Sequence, residues 1–240
     1  MRKQIKLRAK QCFGNQRGIA RLTYFIYMLI IGAVSAVVGY ASSLGGGISA
    51  AINHGNFYGI IVQGIMFGGL VSTAVSIFAF LNLGVGYCGS FLRIWQQRET
   101  TLGDMFTIGF VPYWKKLGAM ALSSLYIALW SMLFVIPGII KTFSYAMVPY
   151  ILVEMPSVGA SEAIDLSKRI MRGYKWKLFV LNLSFIGWDL LNAFTFGILG
   201  ILFVEPYKAT ANAGFYEMVR DNALANGIIR VEGDTDTNTI

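Results

Sequence analysis

Long apolar runs alternate with short basic segments along this sequence. An α-helix rises 1.5 Å per residue, so about 20 apolar residues cross the roughly 30 Å of hydrocarbon in a bilayer. The pattern therefore predicts an all-α polytopic membrane protein with about six transmembrane helices, near residues 22–40, 58–83, 117–136, 139–153, 178–193 and 196–216. We expect a single integral membrane domain over residues 1–216 and a polar cytoplasmic tail over residues 217–240. An alternative fuses residues 178–204 into one tilted span and places the C-terminus outside.

Two basic segments have the 3.6-residue period of amphipathic helices. In the first, apolar side chains share one helical face at Ile5, Ala9, Cys12 and Phe13. In the second, the shared face comprises Ala160, Ala163, Ile164, Ser167, Ile170 and Met171. A basic amphipathic helix is typical of an anionic membrane surface, so the pattern predicts two amphipathic helices on the cytoplasmic surface. A solvated basic tail is the alternative for the first.

Glycine and proline mark the predicted turns. Residues 41–57 hold no lysine or arginine and predict a flexible external loop, and Pro137-Gly138 predicts a tight external turn. Gly173 predicts the end of the second amphipathic helix. Small residues recur every fourth position at Gly64, Gly68, Ser72 and Ser76. Such a stripe indicates either a packing seam within the chain or a dimer contact.

Composition supports the membrane assignment. The 240 residues are 55% hydrophobic and 13% charged, with a mean hydropathy of +0.59. A soluble chain of this size cannot bury so much apolar surface, so the excess must face lipid. The net charge of +8 comes from basic clusters beside the apolar runs, as the positive-inside rule expects of cytoplasmic loops. We therefore expect a multi-pass protein of the cell membrane with both termini cytoplasmic, and no binding of nucleic acid. A cleaved signal peptide is excluded because the basic region and the first apolar run are too long.

The sequence contains few residues in patterns suited to metal binding, cofactor binding or catalysis. Cys12 and Cys88 do not have the spacing of metal ligands, and His54 has no companion ligand nearby. No carboxylate pair accompanies a nucleophile, and no serine–histidine arrangement is evident. We expect no metal, no cofactor and no enzyme, and an enzyme acting on lipids is only the third hypothesis.

Charged residues inside predicted spans are the first candidate site. The candidates are Asp189, Glu205 and Lys208, with Lys141 as a fourth. Such charges are costly in hydrocarbon and usually face the interior of a helix bundle. Glu205 and Lys208 are three residues apart and can pair on one helix, and Asp189 on the neighbouring span can join them. The cluster is either a structural ion pair or a polar site for a headgroup, a solute or a proton. Lys141 either extends to the outer interface or faces an internal cavity.

A basic and aromatic segment is the second candidate site. It precedes an apolar run and comprises Lys168, Arg169, Arg172, Lys175, Trp176 and Lys177. Basic and aromatic side chains are typical of chain at headgroup depth, so we expect contact with anionic lipid there.

The chain from Glu162 to Glu217 carries several motifs of a known family. They are Ser167-Lys-Arg-Ile-Met-Arg-Gly-Tyr-Lys-Trp-Lys-Leu-Phe179, Leu183-Ser-Phe-Ile-Gly-Trp188, Gly197-Ile198, Pro206-Tyr207 and Phe215-Tyr216, with Ile5-Lys-Leu-Arg-Ala-Lys10 near the N-terminus. In these the chain resembles the bacterial integral membrane proteins called domain of unknown function 975. A fainter resemblance, through Pro137-Gly138-Ile139, is to the membrane domain of glycerophosphodiester phosphodiesterases. The first resemblance implies a Gram-positive cytoplasmic membrane and a multi-span helical fold, and it brings no catalytic residues.

Two functions follow as expectations. The first is a non-enzymatic protein that interacts with lipid or serves as a scaffold. The alternative is a small transporter or permease-like protein that uses the intramembrane charges. The sequence indicates neither the protein partners nor the oligomeric state.

Overall fold

The computed structural model describes residues 2–52, 81–195 and 197–229. Over these residues the chain is helical, without strands. The helices are α1 (Arg2–Asn15), α2 (Arg17–Ile52), α3 (described over residues 81–95), α4 (Leu102–Phe110), α5 (Tyr113–Leu133), α6 (Val135–Tyr145), α7 (Val148–Glu154), α8 (Ala160–Ile170), α9 (Lys175–Leu183), α10 (Ile186–Phe194), a π-helical turn (Gly200–Val204) and α11 (Glu205–Ala225). Most of the predicted span 58–83, its stripe of small residues and the end of the polar tail lie outside the described residues.

The chain divides into two compact units. One comprises Phe25–Leu81, of which the structure describes mainly the continuation of α2 to Ile52. The predicted loop over residues 41–57 is therefore wrong up to residue 52, where the chain is still helical. The physical reason is that no proline interrupts this stretch, and alanine and serine are tolerated in a helix. The other, larger unit comprises Met1–Tyr24 and Asn82–Ile240.

Helix α11 lies at the centre of the larger unit. Ten of its 21 residues are buried, including Phe215, Tyr216 and Val219. Helix α1 packs along it, and the predicted apolar face of α1 is at most 7% exposed. The periodicity therefore predicted the buried face of α1 correctly. The prediction that this face rests on lipid is wrong, because protein covers it.

Helix α8 also has a predicted apolar face that protein covers. Five residues of its predicted face are buried, and α8 packs against α5, α6 and α7. The hydroxyl of Ser167 donates a hydrogen bond to the carbonyl of Ser144 at 2.8 Å. The helix ends as predicted before Gly173, whose φ of +84° favours glycine. The apolar face of α8 therefore covers a bundle and is not laid on the membrane surface.

Glycines allow two close helix contacts. A Cβ at Gly86 of α3 would meet the backbone of Met105 in α4, and one at Gly109 of α4 would lie 2.8 Å from the carbonyl oxygen of Asn82. A Cβ at Gly214 of α11 would meet the ring of Trp95. At each of these positions a neighbouring backbone or the Trp95 ring lies where a Cβ would be, so only glycine permits the approach.

The helix break between α5 and α6 lies earlier than predicted. The chain turns at Phe134, which is extended, and Pro137 and Gly138 lie inside the first turns of α6. The prediction of a turn at Pro137-Gly138 is therefore wrong. Proline is tolerated there because the first N–H groups of a helix have no partner in the helix.

The C-terminal third is more interrupted than predicted. The predicted span 178–193 is divided into α9 and α10 at Ser184 and Phe185. The predicted span 196–216 begins with the π-helical turn, and α11 continues to Ala225, inside the predicted tail. The fused span 178–204 does not form, because the chain turns at Gly197, whose φ is +85°.

Three segments among the described residues are long and apolar enough to cross a membrane: Arg17–Ala36, Tyr113–Leu133 and Val135–Glu154. Large apolar side chains are exposed on the larger unit, among them Met132 at 88% and Phe194 at 77%. Apolar surface on this scale is typical of contact with lipid. Over the described residues the fold is thus all-helical, with three segments that are long and apolar enough to cross a membrane.

Candidate functional site

The structure brings three of the predicted intramembrane charges together. The ammonium group of Lys208 lies 3.1 Å from one carboxylate oxygen of Asp189 and 3.3 Å from the other. It lies 4.0 Å from a carboxylate oxygen of Glu205 on its own helix. The three side chains are 25–36% exposed. This charged trio joins α10 to α11 and leaves one net negative charge, since two carboxylates face one ammonium.

Helix interruptions surround the charged trio. The chain breaks between α9 and α10 on one side, and the π-helical turn precedes Glu205 and Pro206 on the other. Breaks of this kind free backbone carbonyls, and π-helical turns are frequent at functional sites. An interrupted helix next to intramembrane charge is a common arrangement around a polar site.

Basic residues of the N-terminal segment hydrogen-bond to these breaks. The ammonium group of Lys6 donates to the carbonyl of Ser184 at 3.1 Å, and Arg21 Nε donates to the carbonyl of Leu202 at 2.8 Å. Burial, and then the positive charge of Arg2, lower the pKa of Lys6. The sequence analysis missed both roles, since it considered the basic residues of this segment only as contacts to an anionic membrane surface or as determinants of orientation. Their sequence spacing contains no signal for contacts about 180 residues away.

Lys141 lies apart from the charged trio. Its ammonium group sits 4.6 Å from the ring centroid of Trp130, in a cation–π contact. Burial lowers the pKa of Lys175, and the positive charges of Lys141 and Arg172 lower it further. The rings of Phe143 and Phe179, on the same two helices, have centroids 5.8 Å apart.

The proximity of α6 and α9 contradicts the predicted path of the chain across the membrane. The prediction placed Lys141 near the outer end of a span and Lys175 at a cytoplasmic end, across roughly 30 Å of hydrocarbon. Helices α6 and α9 pack against each other, so Lys141 and Lys175 lie on neighbouring helices and are not separated by the thickness of a bilayer. The reason is α8, which returns beside α5 into the bundle and brings the chain back to the level of α6.

The predicted basic segment surrounds the junction of α8 and α9, and we call it the basic collar. Arg169 pairs with Asp165 at 2.8 Å, and Lys168 and Lys177 lie 5.7 and 4.4 Å from tyrosine rings. Trp176 is 72% exposed. Arg172 has no ion pair within the described ranges. The collar is thus largely uncompensated positive charge beside an exposed aromatic ring.

A cleft of about 370 Å³ opens beside the collar. Its floor is apolar and its rim polar, with side chains from the end of α8, the following turn and the end of α11. The polar lining residues are Arg169, Arg172, Tyr174, Asn222 and Asn226. Sequence reasoning found the two arginines and missed the two asparagines, which come about 50 residues later.

A second charged network lies between α7 and α11. Arg220 forms an ion pair with Glu154, and the hydroxyl of Tyr216 donates to the same carboxylate at 2.8 Å. Burial opposes the charge of Arg220, but a hydrogen bond to Asp221 and the negative charges around it raise its pKa above the ordinary value. The sequence analysis did not find this network.

The part of the chain that the structure describes holds no group of three or more histidine, cysteine, aspartate or glutamate side chains placed to bind a metal ion.

Fold and site together define a helical protein with segments able to cross a membrane, a half-buried ion cluster and a basic collar. Residues 132–223, less than half of the chain, match the family model described as "Protein of unknown function (DUF975)". The resemblance seen in the sequence is thereby confirmed over that segment. No curated protein and no solved structure matches the chain. The fainter resemblance to glycerophosphodiester phosphodiesterases stays a prediction.

Proposed function

We propose that this protein is a multi-pass, non-enzymatic membrane protein that binds anionic lipid through its basic collar. The observation that carries the proposal is the position of the collar. It spans the junction of α8 and α9, and the exposed side chains that follow it on α9 and α10 are apolar, among them Ile186, Leu190 and Phe194. Uncompensated cations beside an apolar surface suit a negatively charged headgroup with its acyl chains alongside.

The proposed orientation follows from the same charges. Cytoplasmic loops carry an excess of lysine and arginine, so we place the collar and the N-terminal segment on the cytoplasmic side. Lys141 then lies on that side too, because it is close to Lys175. Six crossings would place Lys141 on the outer side, because it follows the predicted span 117–136 by only five residues. This proposal therefore does not keep the predicted number of crossings, and the C-terminus is cytoplasmic.

Binding to lipid vesicles of defined composition tests the proposal. The protein is purified in mild detergent and mixed with vesicles of phosphatidylcholine with or without phosphatidylglycerol. We expect binding to rise with phosphatidylglycerol, and to fall in the triple variant Lys168→Gln/Arg172→Gln/Lys175→Gln. The matched control removes three exposed charges of α1, in Arg2→Gln/Lys3→Gln/Lys10→Gln. Equal binding of both triple variants would contradict the proposal.

A small transporter is the second candidate, favoured by the charged trio between interrupted helices. Two carboxylates around one ammonium leave a charge that a cation or a proton can balance. The test compares Asp189→Asn and Lys208→Gln with wild type, using ion and solute flux into proteoliposomes. Unchanged flux in both variants would exclude this function.

A further inference from the structure

The geometry points to the cleft between the ends of α8 and α11 as a binding site for a phosphate diester that carries hydroxyl groups, the chemistry of a polyol phospholipid headgroup. This inference rests on the proposed lipid binding, for which it names the site and the ligand chemistry. Three observations support it: the shape of the cleft, its cations and its hydrogen-bond acceptors.

The cleft has the size and lining of a ligand site. Its volume of about 370 Å³ falls in the usual range for small-molecule sites, roughly 300–1,000 Å³. Its floor is formed by Ile170, Val219 and Ala223, each at most 3% exposed. The rim residues Arg172, Asn222 and Asn226 are exposed. A headgroup can therefore enter from the rim without displacing the core.

The cations of the cleft lack a full set of counter-charges. Arg169 is paired with Asp165, whereas Arg172 has no acid partner among the described residues. The repulsion between Arg172 and Lys175 is a further sign of excess positive charge. A phosphate relieves this repulsion, and the planar guanidinium group suits two of its oxygens at once.

The amides of the cleft offer acceptors. Asn222 Nδ2 donates to the carbonyl of Met218 at 2.7 Å, and Asn226 Nδ2 donates to the carbonyl of Asn222 at 2.6 Å. Each amide thus uses one of its two N–H groups on its own helix, which leaves the second N–H as a donor and Oδ1 as an acceptor for a ligand. Acceptors repel phosphate oxygens and bind hydroxyl groups. Arginines and acceptors on one rim therefore favour a phosphate that carries hydroxyl groups over a bare phosphate.

Native mass spectrometry of the full chain in detergent tests this site with three defined probes. Phosphatidylglycerol carries the phosphate and the hydroxyl groups, phosphatidylmethanol carries the same charge without hydroxyl groups, and glycerophosphoglycerol is the free headgroup. We expect phosphatidylglycerol to bind more tightly than phosphatidylmethanol. Arg172→Gln should weaken phosphatidylglycerol binding by about tenfold or more. The control Lys3→Gln, which removes an exposed charge of α1, should change it by less than about twofold.

The asparagines give a second, independent measurement. The variant Asn222→Ala/Asn226→Ala should abolish the preference for phosphatidylglycerol over phosphatidylmethanol and leave phosphatidylmethanol binding intact. Competition by glycerophosphoglycerol would support a site that accepts a free phosphate ester, and its failure to compete would support a site that also needs the acyl chains.

Two outcomes would overturn the inference. One leaves the proposed lipid binding intact and the other overturns it as well. If Arg172→Gln and the asparagine variant behave like Lys3→Gln while the collar triple variant still loses lipid, the cleft is not the site and the proposed function stands. If wild type shows no preference for anionic lipid, the proposed function fails and the cleft fails with it. Equal melting temperatures of all variants exclude misfolding as the cause.

Discussion

Arg220, near the end of α11, forms an ion pair with Glu154, the last residue of α7. The two side chains are 18% and 19% exposed, and Tyr216 donates a hydrogen bond to the same carboxylate. A charge pair shielded from water in this way is costly to break, because removing one partner leaves the other unpaired in a poorly solvated place. This pair therefore stabilises the packing of α11 against α7.

Glu154→Gln should destabilise the protein by about 2 kcal/mol, because Arg220 and Tyr216 then lose an ionised acceptor. The melting temperature of the detergent-purified protein, followed by the reaction of buried Cys12 with a thiol dye, measures the loss. Asp165→Asn is the control. It breaks an ion pair whose side chains are 50% and 61% exposed, and should cost under about 1 kcal/mol. Equal losses in the two variants would mean that shielding from water does not strengthen the Arg220–Glu154 pair.

Gly86→Ala should destabilise the protein by about 3 kcal/mol or more, because the new methyl group meets the backbone of Met105, which cannot move aside as a flexible side chain can. Gly84→Ala on the same helix is the control. No atom lies within 4 Å of a Cβ there, so its expected effect is between neutral and a gain of about 1 kcal/mol from helix propensity. The same thermal assay checks both. A neutral Gly86→Ala would contradict the close approach of α3 and α4.

Local patterns predicted local features of the fold. The period of Ile5, Ala9, Cys12 and Phe13 correctly indicated a buried face, because the helical repeat depends only on neighbouring positions. What covers that face is a question of tertiary structure, and periodicity does not distinguish lipid from protein. The predicted surface helices were wrong for this reason.

In the candidate site too, contacts between residues close in sequence were predicted and contacts between distant residues were not. The pairing of Glu205 with Lys208 followed from their spacing of three residues, and the addition of Asp189 followed from the adjacency of α10 and α11. The Glu154–Arg220 pair joins residues 66 positions apart, and no local pattern indicates it. The close approach of Gly86 to α4 escaped prediction similarly, since a glycine in one helix does not say which backbone it meets.

The contribution of Asp104 to stability should depend on pH. Burial raises the pKa of this carboxyl, but a hydrogen bond from the Thr101 N–H at 2.8 Å, and the hydrogen bond and charge of Arg93, hold it below its ordinary value of 3.8. A carboxyl whose pKa is lower in the folded state stabilises the fold above its unfolded pKa. This contribution is lost as the pH falls through the folded pKa.

Asp104→Ala should therefore cost about 1 kcal/mol near neutral pH, the usual loss for a helix cap, and progressively less below about pH 4. Thermal melting of wild type and variant from pH 7 to pH 3 measures the difference. Arg93→Gln should shrink this pH-dependent contribution, because loss of the cation raises the folded pKa of Asp104 toward its unfolded value. A difference that is constant over this range would mean that Asp104 acts through packing and not through its charge.

The position of Lys141 decides how α6 is placed in the membrane. Helix α6 packs against α9, and the ring of Phe143, two residues after Lys141, contacts the ring of Phe179, four residues after Lys175. We expect single cysteines at the two lysine positions, in a Cys12→Ser/Cys88→Ser background, to react with a membrane-impermeant thiol reagent from the same side of inverted vesicles. The reagent should reach Lys175→Cys and Lys141→Cys from the side that also labels Lys3→Cys in α1, since the collar and the N-terminal segment are both placed in the cytoplasm. Labelling of Lys141→Cys from the opposite side would restore the threading predicted from hydropathy and contradict the contact of α6 with α9. Labelling of both lysine positions from the side opposite to Lys3→Cys would agree with the contact of α6 with α9 but would reverse the proposed orientation of the collar. The helix contact determines which residues share a side of the membrane, whereas the positive-inside rule determines which side that is.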